Sequence, residues 1–98
     1  MYGTVARLRL KPGMEERMQM LSDEQTAAAM PGFVGNYVYR MDNDPDEFYL
    51  VVIFDSKESY VANATSSEQN ERFQQMMELM AAEPEWHDGE IVAMWPRS

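Results

Sequence analysis

The chain has 98 residues and a net charge of −9, from 8 Lys and Arg against 17 Asp and Glu, with no cysteine. That length fits one domain around a single core, and the acidic balance repels phosphate backbones and anionic lipid, which disfavours nucleic-acid and membrane partners. No disulfide, thiolate metal site or cysteine nucleophile can form. With no basic-then-apolar leader and no run near the ~18 apolar residues of a membrane span, a cytoplasmic protein is expected.

Tyr2 to Lys11 reads as a strand, with Tyr2, Thr4, Ala6, Leu8 and Leu10 on one face and Val5, Arg7 and Arg9 on the other. Lys11-Pro12-Gly13 breaks it, and Pro12 sits where a helix can begin. From Met14, the positions Met14, Met18, Leu21, Gln25 and Ala28 share a helical face that Gln25 interrupts, either at the helix edge or aimed into a cavity. Pro31-Gly32 ends that helix. Phe33 to Met41 is a second strand, with Phe33, Tyr37 and Tyr39 expected on one face, in the core or lining a cleft. Asp42-Asn43-Asp44-Pro45-Asp46 is turn chemistry. It mimics the opening of a calcium loop, but Glu47 and Ile53 stand where the required glycine and final acid belong, so no metal site is expected.

The run Phe48-Tyr49-Leu50-Val51-Val52-Ile53-Phe54 has strand length and is apolar at every position. A strand covered on one face only would alternate, so both faces of this one must be covered. Asp55 then looks like a helix cap with Glu58 three residues on, and Ser66-Ser67-Glu68-Gln69 is a second start signal. Two helical segments follow, about Lys57–Ala64 and Glu68–Ala82, with a bend between them and Phe73, Met76, Met77 and Met80 as a buried stripe. Pro84 closes the second, and Glu90 to Trp95 reads as a short last strand. Ten methionines, several at helical spacing, fill core or line an adaptable apolar pocket.

Strand, helix, strand, strand, helix, strand is the α+β ferredoxin-like βαββαβ plan, a four-stranded antiparallel sheet with both helices on one face. The first and third strands are then central, and the sheet face away from the helices is bare. Leaving Tyr49, Val51 and Ile53 in water would create an aggregation-prone patch. A homodimer with sheets packed face to face covers it, since two-fold symmetry is the commonest closure.

Three segments resemble the antibiotic-biosynthesis-monooxygenase-like family, whose members form dimeric α/β barrels. They are Val5-Ala6-Arg7-Leu8-Arg9-Leu10-Lys11-Pro12-Gly13, Pro31-Gly32-Phe33-Val34-Gly35, and Val51 through Asn63. With the element order, the resemblance spans nearly the whole chain as one domain. The heme-degrading branch uses an Asn, a Trp and a His at fixed positions. Here Ala6 stands at the Asn position, Asn63 near the Trp position, and no histidine lies in the second helix, so neither heme degradation nor a histidine-ligated heme is expected.

The resemblance implies a homodimeric, cofactor-independent monooxygenase, in which an electron-rich phenol or quinol reduces dioxygen directly once deprotonated. The pocket would lie between sheet and helices, lined by Tyr60, Asn63, Phe73 and Met77, with Tyr37 contributing from the sheet. His87 is the only histidine and the obvious proton acceptor; otherwise it is a surface loop histidine ahead of an edge strand. Trp86 beside it is a packing anchor for that loop or a substrate platform. Asn63 either donates to a bound carbonyl or oxygen, or is a polar residue at the helix bend. No glycine-rich phosphate loop, dinucleotide fingerprint or nucleophile elbow occurs, so no cofactor is expected. A small aromatic molecule is the expected ligand. The alternative is a dimeric small-molecule-binding or stress-associated protein without catalysis, favoured if the cleft proves poor in ionisable groups.

Overall fold

Alternation along Tyr2–Arg9 builds the first strand, β1, and its inward residues Thr4, Ala6 and Leu8 are all buried. The computed structural model describes residues 1–27 and 30–96, apart from the side chains at 22 and 24–27. After β1 come α1 (Glu15–Ala27), β2 (Phe33–Met41), β3 (Asp44–Phe54), α2 (Lys57–Ala64), α3 (Ser67–Met77) and β4 (Glu85–Glu90). The sheet order is β2-β3-β1-β4, and every neighbouring pair is antiparallel. This is the ferredoxin-like α+β fold, with the second helical region in two pieces. Gln25 and Ala28 of the expected first-helix stripe lie outside the described side chains.

The core forms where β1 and β3 meet the helices. Ala6, Leu8, Phe48 and Leu50 pack against Met18, Met76, Leu79 and Met80. Gly3 allows the two central strands to close, because a Cβ there would lie 1.8 Å from the Val52 carbonyl oxygen. The opposite sheet face carries Val5, Tyr37, Tyr39, Tyr49, Val51 and Ile53, which the cross-strand register places together. Tyr37 and Tyr39 are 61% and 54% exposed, while Tyr49, Val51 and Ile53 are half-buried.

Several boundaries differ from the sequence reading. The hairpin turn narrows to Asp42-Asn43, since Met41 already pairs with Asp44 and β3 begins there. Asp44 accepts the Asp46 amide at 3.0 Å and pairs with Arg9 at 2.7 Å. Those two contacts, the amide first, hold its carboxyl below the usual range. Ser56, not Asp55, caps α2 by accepting the Ser59 amide. α3 stops at Met77 because the following residues are drawn to the end of β1. Leu10 bridges Met80, the Lys11 amide bonds the Leu79 carbonyl at 2.8 Å, and the Ala81 amide bonds the Arg9 carbonyl at 2.7 Å.

Two corrections bear on the site. A register shift between Phe33 and Gly35 adds a residue to β2. A bulge of this kind reverses the side-chain phase beyond it. Phe33 therefore faces the helices together with Asn36, while Tyr37 and Tyr39 face the other way. The last strand is Glu85–Glu90, and not Glu90 to Trp95 as its apolar run suggested. Val92 and Trp95, in that run, are 87% and 74% exposed. His87 is therefore in a strand and not in a loop.

Candidate functional site

Between the helices and the sheet lies a cavity of about 380 Å³. Its size falls within the roughly 300–1,000 Å³ usual for small-molecule sites. The floor is Thr4 of β1, Leu50, Val52 and Phe54 of β3, Phe33 and Asn36 of β2, and Trp86 and Asp88 of β4. Met18 and Leu21 of α1, Tyr60 and Asn63 of α2, and Gln69, Asn70, Phe73 and Met76 of α3 form the cover. The lining is mostly apolar and aromatic, with four amides and one carboxylate.

The bend between α2 and α3 creates the amide group. Thr65 turns its hydroxyl back to the Val61 carbonyl at 3.0 Å, which ends α2. Ser66 donates to the Asn63 carbonyl at 2.7 Å and accepts the Gln69 amide at 3.1 Å, which starts α3. That serine brings the side chains of Asn63 and Gln69 together. Asn63 Nδ2 donates to Gln69 Oε1 at 3.2 Å, and Arg72 Nη1 donates to the same oxygen at 3.0 Å. With its oxygen engaged twice, Gln69 has its NH₂ donors to offer a ligand. Asn63, having given one donor, retains a carbonyl oxygen that can accept.

At the β4 side, Tyr60 reaches across from α2. Its hydroxyl donates to Asp88 Oδ1 at 2.8 Å, and its ring meets Tyr2 and Phe54 edge-on, with centroids 5.3 and 5.7 Å apart. Burial, then the hydrogen bond and negative charge of Asp88, push the Tyr60 phenol up to about 12. Thr4 exerts a small opposing pull on Tyr60. The two hydroxyls do not meet in hydrogen-bond geometry, and Thr4 Oγ1 is buried without a partner among the described residues. Phe73 and Trp86 stand 6.1 Å apart at 44°, one from the cover and one from the floor.

Tyr60, Asn63, Phe73 and Trp86 are thus brought to one cavity. Met77 packs against the core beside it, while its neighbour Met76 lines the wall. Tyr37 and His87 do not reach the cavity. Tyr37 pairs with Val51 and His87 with Val5, all on the sheet face turned away from the helices. Thr4, Asn36, Gln69 and Asp88 escaped sequence reasoning. Asp88 was legible in principle, because strand alternation through Trp86-His87-Asp88 puts the outer two on the side opposite His87.

An unpartnered buried hydroxyl costs stability, typically about 1–3 kcal/mol. Thr4→Val keeps the shape and removes that group. It should raise stability by about 1 kcal/mol in urea unfolding, while weakening any ligand that uses the hydroxyl. A variant less stable than the parent would show that Thr4 is satisfied in solution.

Among the described residues no cluster of three or more His, Asp or Glu could hold a metal ion, and no helix is long and apolar enough to cross a membrane.

Known structures share this fold. SnoaB, a cofactor-independent oxygenase from Streptomyces nogalater solved as an asparagine-to-alanine mutant, superposes with a TM-score of 0.83 at 12% identity, covering 98% of this chain and 97% of that one. A Chloroflexus aurantiacus J-10-fl protein put forward as an antibiotic biosynthesis monooxygenase gives 0.75 at 26% identity, covering 95% and 94%. Rv0793 from Mycobacterium tuberculosis gives 0.75 at 16%, covering 96% and 97%. No curated protein matches in sequence. The family model for antibiotic biosynthesis monooxygenase matches residues 1–79, from β1 through the end of α3 and so through most of the cavity wall. On that match, joined to the fold and the helix-covered cavity, the chain belongs to the antibiotic biosynthesis monooxygenase family.

Proposed function

We propose that this protein is a cofactor-independent monooxygenase acting on a small phenol- or quinol-type aromatic held in the cavity between sheet and helices. The observation that carries this reading is the cavity itself. Aromatic and thioether walls suit a planar ring, and the amides and Asp88 are placed to bind its oxygens. In the simplest case a phenol and dioxygen give a quinone and water. The ring loses its hydroxyl proton and one ring hydrogen, one oxygen atom enters the ring, and the other leaves as water. The protein need supply only orientation, a dry setting and a proton acceptor. Asn63 and Gln69 would hold the ligand's oxygens, and Phe73 and Trp86 its faces. His87, on the other side of the sheet, is not assigned the base; Asp88 is the carboxylate at the cavity.

Oxygen uptake with a panel of hydroquinones and polyphenols, without added flavin, heme or metal, tests this. Asn63→Ala should lower turnover about fivefold, as befits one lost hydrogen bond of roughly 1 kcal/mol. A ligand retained in native mass spectrometry with no oxygen uptake across the panel would favour the second reading, a binding protein without turnover. The position of His87 is what recommends that second reading.

Self-association through the bare sheet face belongs to the same proposal. The apolar patch around Val51 is continuous across β1, β2 and β3. At its end, Arg7 is ion-paired with Glu47 and Glu85, and Arg9 with Asp44. Two chains of net charge −9 can approach on this face, because its carboxylates are already matched by arginines.

A further inference from the structure

We propose, resting on the cavity as the ligand site, that Asp88 is a specificity-determining acceptor that admits a hydroxyl-bearing ligand in its neutral form and turns away the corresponding anion. Tyr60 is its positioning residue. Asp88 lies on β4 directly opposite Thr4, so both side chains face the cavity. Tyr60 engages one of its oxygens, Oδ1, at 2.8 Å. An ionised carboxylate offers roughly four lone-pair sites on two oxygens, so one bond from Tyr60 leaves room for a ligand O–H. That same bond restrains the carboxylate at the cavity rim before a ligand arrives.

Tyr60 is a resident phenol on the same carboxylate. Burial first, and then the hydrogen bond and charge of Asp88, push its phenol up to about 12. A ligand phenol on the same carboxylate meets the same bond and the same charge. Its neutral form gains a charge-assisted hydrogen bond, and its anion faces repulsion in a partly desolvated setting. The proton arrives with the ligand, next to the group that can accept it.

Few other charges face this corner. From α2, besides Tyr60, Lys57 lies 5.7 Å from the Tyr2 ring centre, over its face. From β1 come the neutral Tyr2 and Thr4. On β4 itself Glu90 is opposite Tyr2 and adds to the negative field. The cavity residues of α3, Gln69, Asn70 and Phe73, carry no charge, but Arg72 of the same helix donates to Gln69 Oε1 and favours an anion at that end of the cavity. Lys57 would favour an anion and Glu90 disfavour one, so removing the Asp88 charge alone isolates its share.

The test uses 4-nitrophenol and its bicyclic analogue 4-nitro-1-naphthol, whose colour reports ionisation. Absorbance titrations at pH values on either side of each probe's own pKa give separate affinities for phenol and phenolate. The neutral form should bind about tenfold more tightly, which raises the bound probe's pKa by about one unit. Asp88→Asn, a near-isosteric change on an exposed edge strand, should abolish that preference while retaining binding of the neutral form. Tyr60→Phe should keep the sign of the preference and reduce its size, because the carboxylate stays but is no longer held. Equal binding of phenol and phenolate by the parent protein overturns the role of Asp88 and leaves the cavity reading standing. So does a preference undiminished in Asp88→Asn, which would trace it to the overall charge. If neither form of either probe binds, the cavity reading fails and this inference falls with it.

Discussion

Val51→Glu should convert the proposed dimer into a monomer that keeps its secondary structure. Val51 sits mid-strand on β3, between Val5 of β1 and Tyr37 of β2, with Tyr49 and Ile53 on either side along its own strand. The register turns all of these away from the helices, and none belongs to the hydrophobic core of the single chain. If a second copy covers the face, a carboxylate there is buried without a partner, and by two-fold symmetry each interface receives two. An unpaired buried charge costs several kcal/mol even after relaxation, enough to shift dimerisation by 100-fold or more. Sedimentation equilibrium should give twice the 11.4 kDa chain mass for the parent and a single chain mass for the variant. A monomeric parent would remove the proposed interface altogether. A variant as dimeric as its parent would place the contact elsewhere on the molecule.

The fold was readable because the strand patterns and the helix start and stop signals were clear where they mattered. Alternation along Tyr2–Arg9 and the unbroken apolar run of β3 identify the two central strands. The Ser66 start signal located the bend, but not the contact between Asn63 and Gln69 that the bend produces. What was lost lay at the sheet edges. On β2 the extra residue between Phe33 and Gly35 changes which side chains face the helices, and a bulge leaves little mark in composition. On β4 the strand is Glu-Trp-His-Asp-Gly-Glu, mostly polar and exposed at every position, because an edge strand is held by its ladder to β1 more than by burial. The apolar residues just beyond it gave a stronger strand signal and displaced the boundary. That single displacement put His87 in a loop beside the pocket and hid Asp88, which faces it.

Val52→Trp should separate the two faces of β3, because it differs from Val51→Glu by one position and points the opposite way. Val52 is half-buried and lines the cavity floor beside Leu50 and Phe54. Strand side chains stand nearly perpendicular to the sheet, so an indole at this position rises into the cavity. The space of about 380 Å³ admits the ring without displacing Leu8 or Leu50 from the core. That spares the variant most of the roughly 1–3 kcal/mol that overpacking costs in a filled interior. The ring then competes with a ligand for the same volume and for contact with Phe73. Affinity for 4-nitro-1-naphthol should fall at least about tenfold, or ~1.4 kcal/mol, with oxygen uptake falling alongside it. Dimer mass and unfolding midpoint should stay close to those of the parent, since nothing on the other sheet face has changed. Full binding in a folded Val52→Trp variant would move the ligand site out of this cavity. Loss of the dimer would mean that the two faces of β3 are coupled through the strand, and period-two alternation would then not separate assembly from binding.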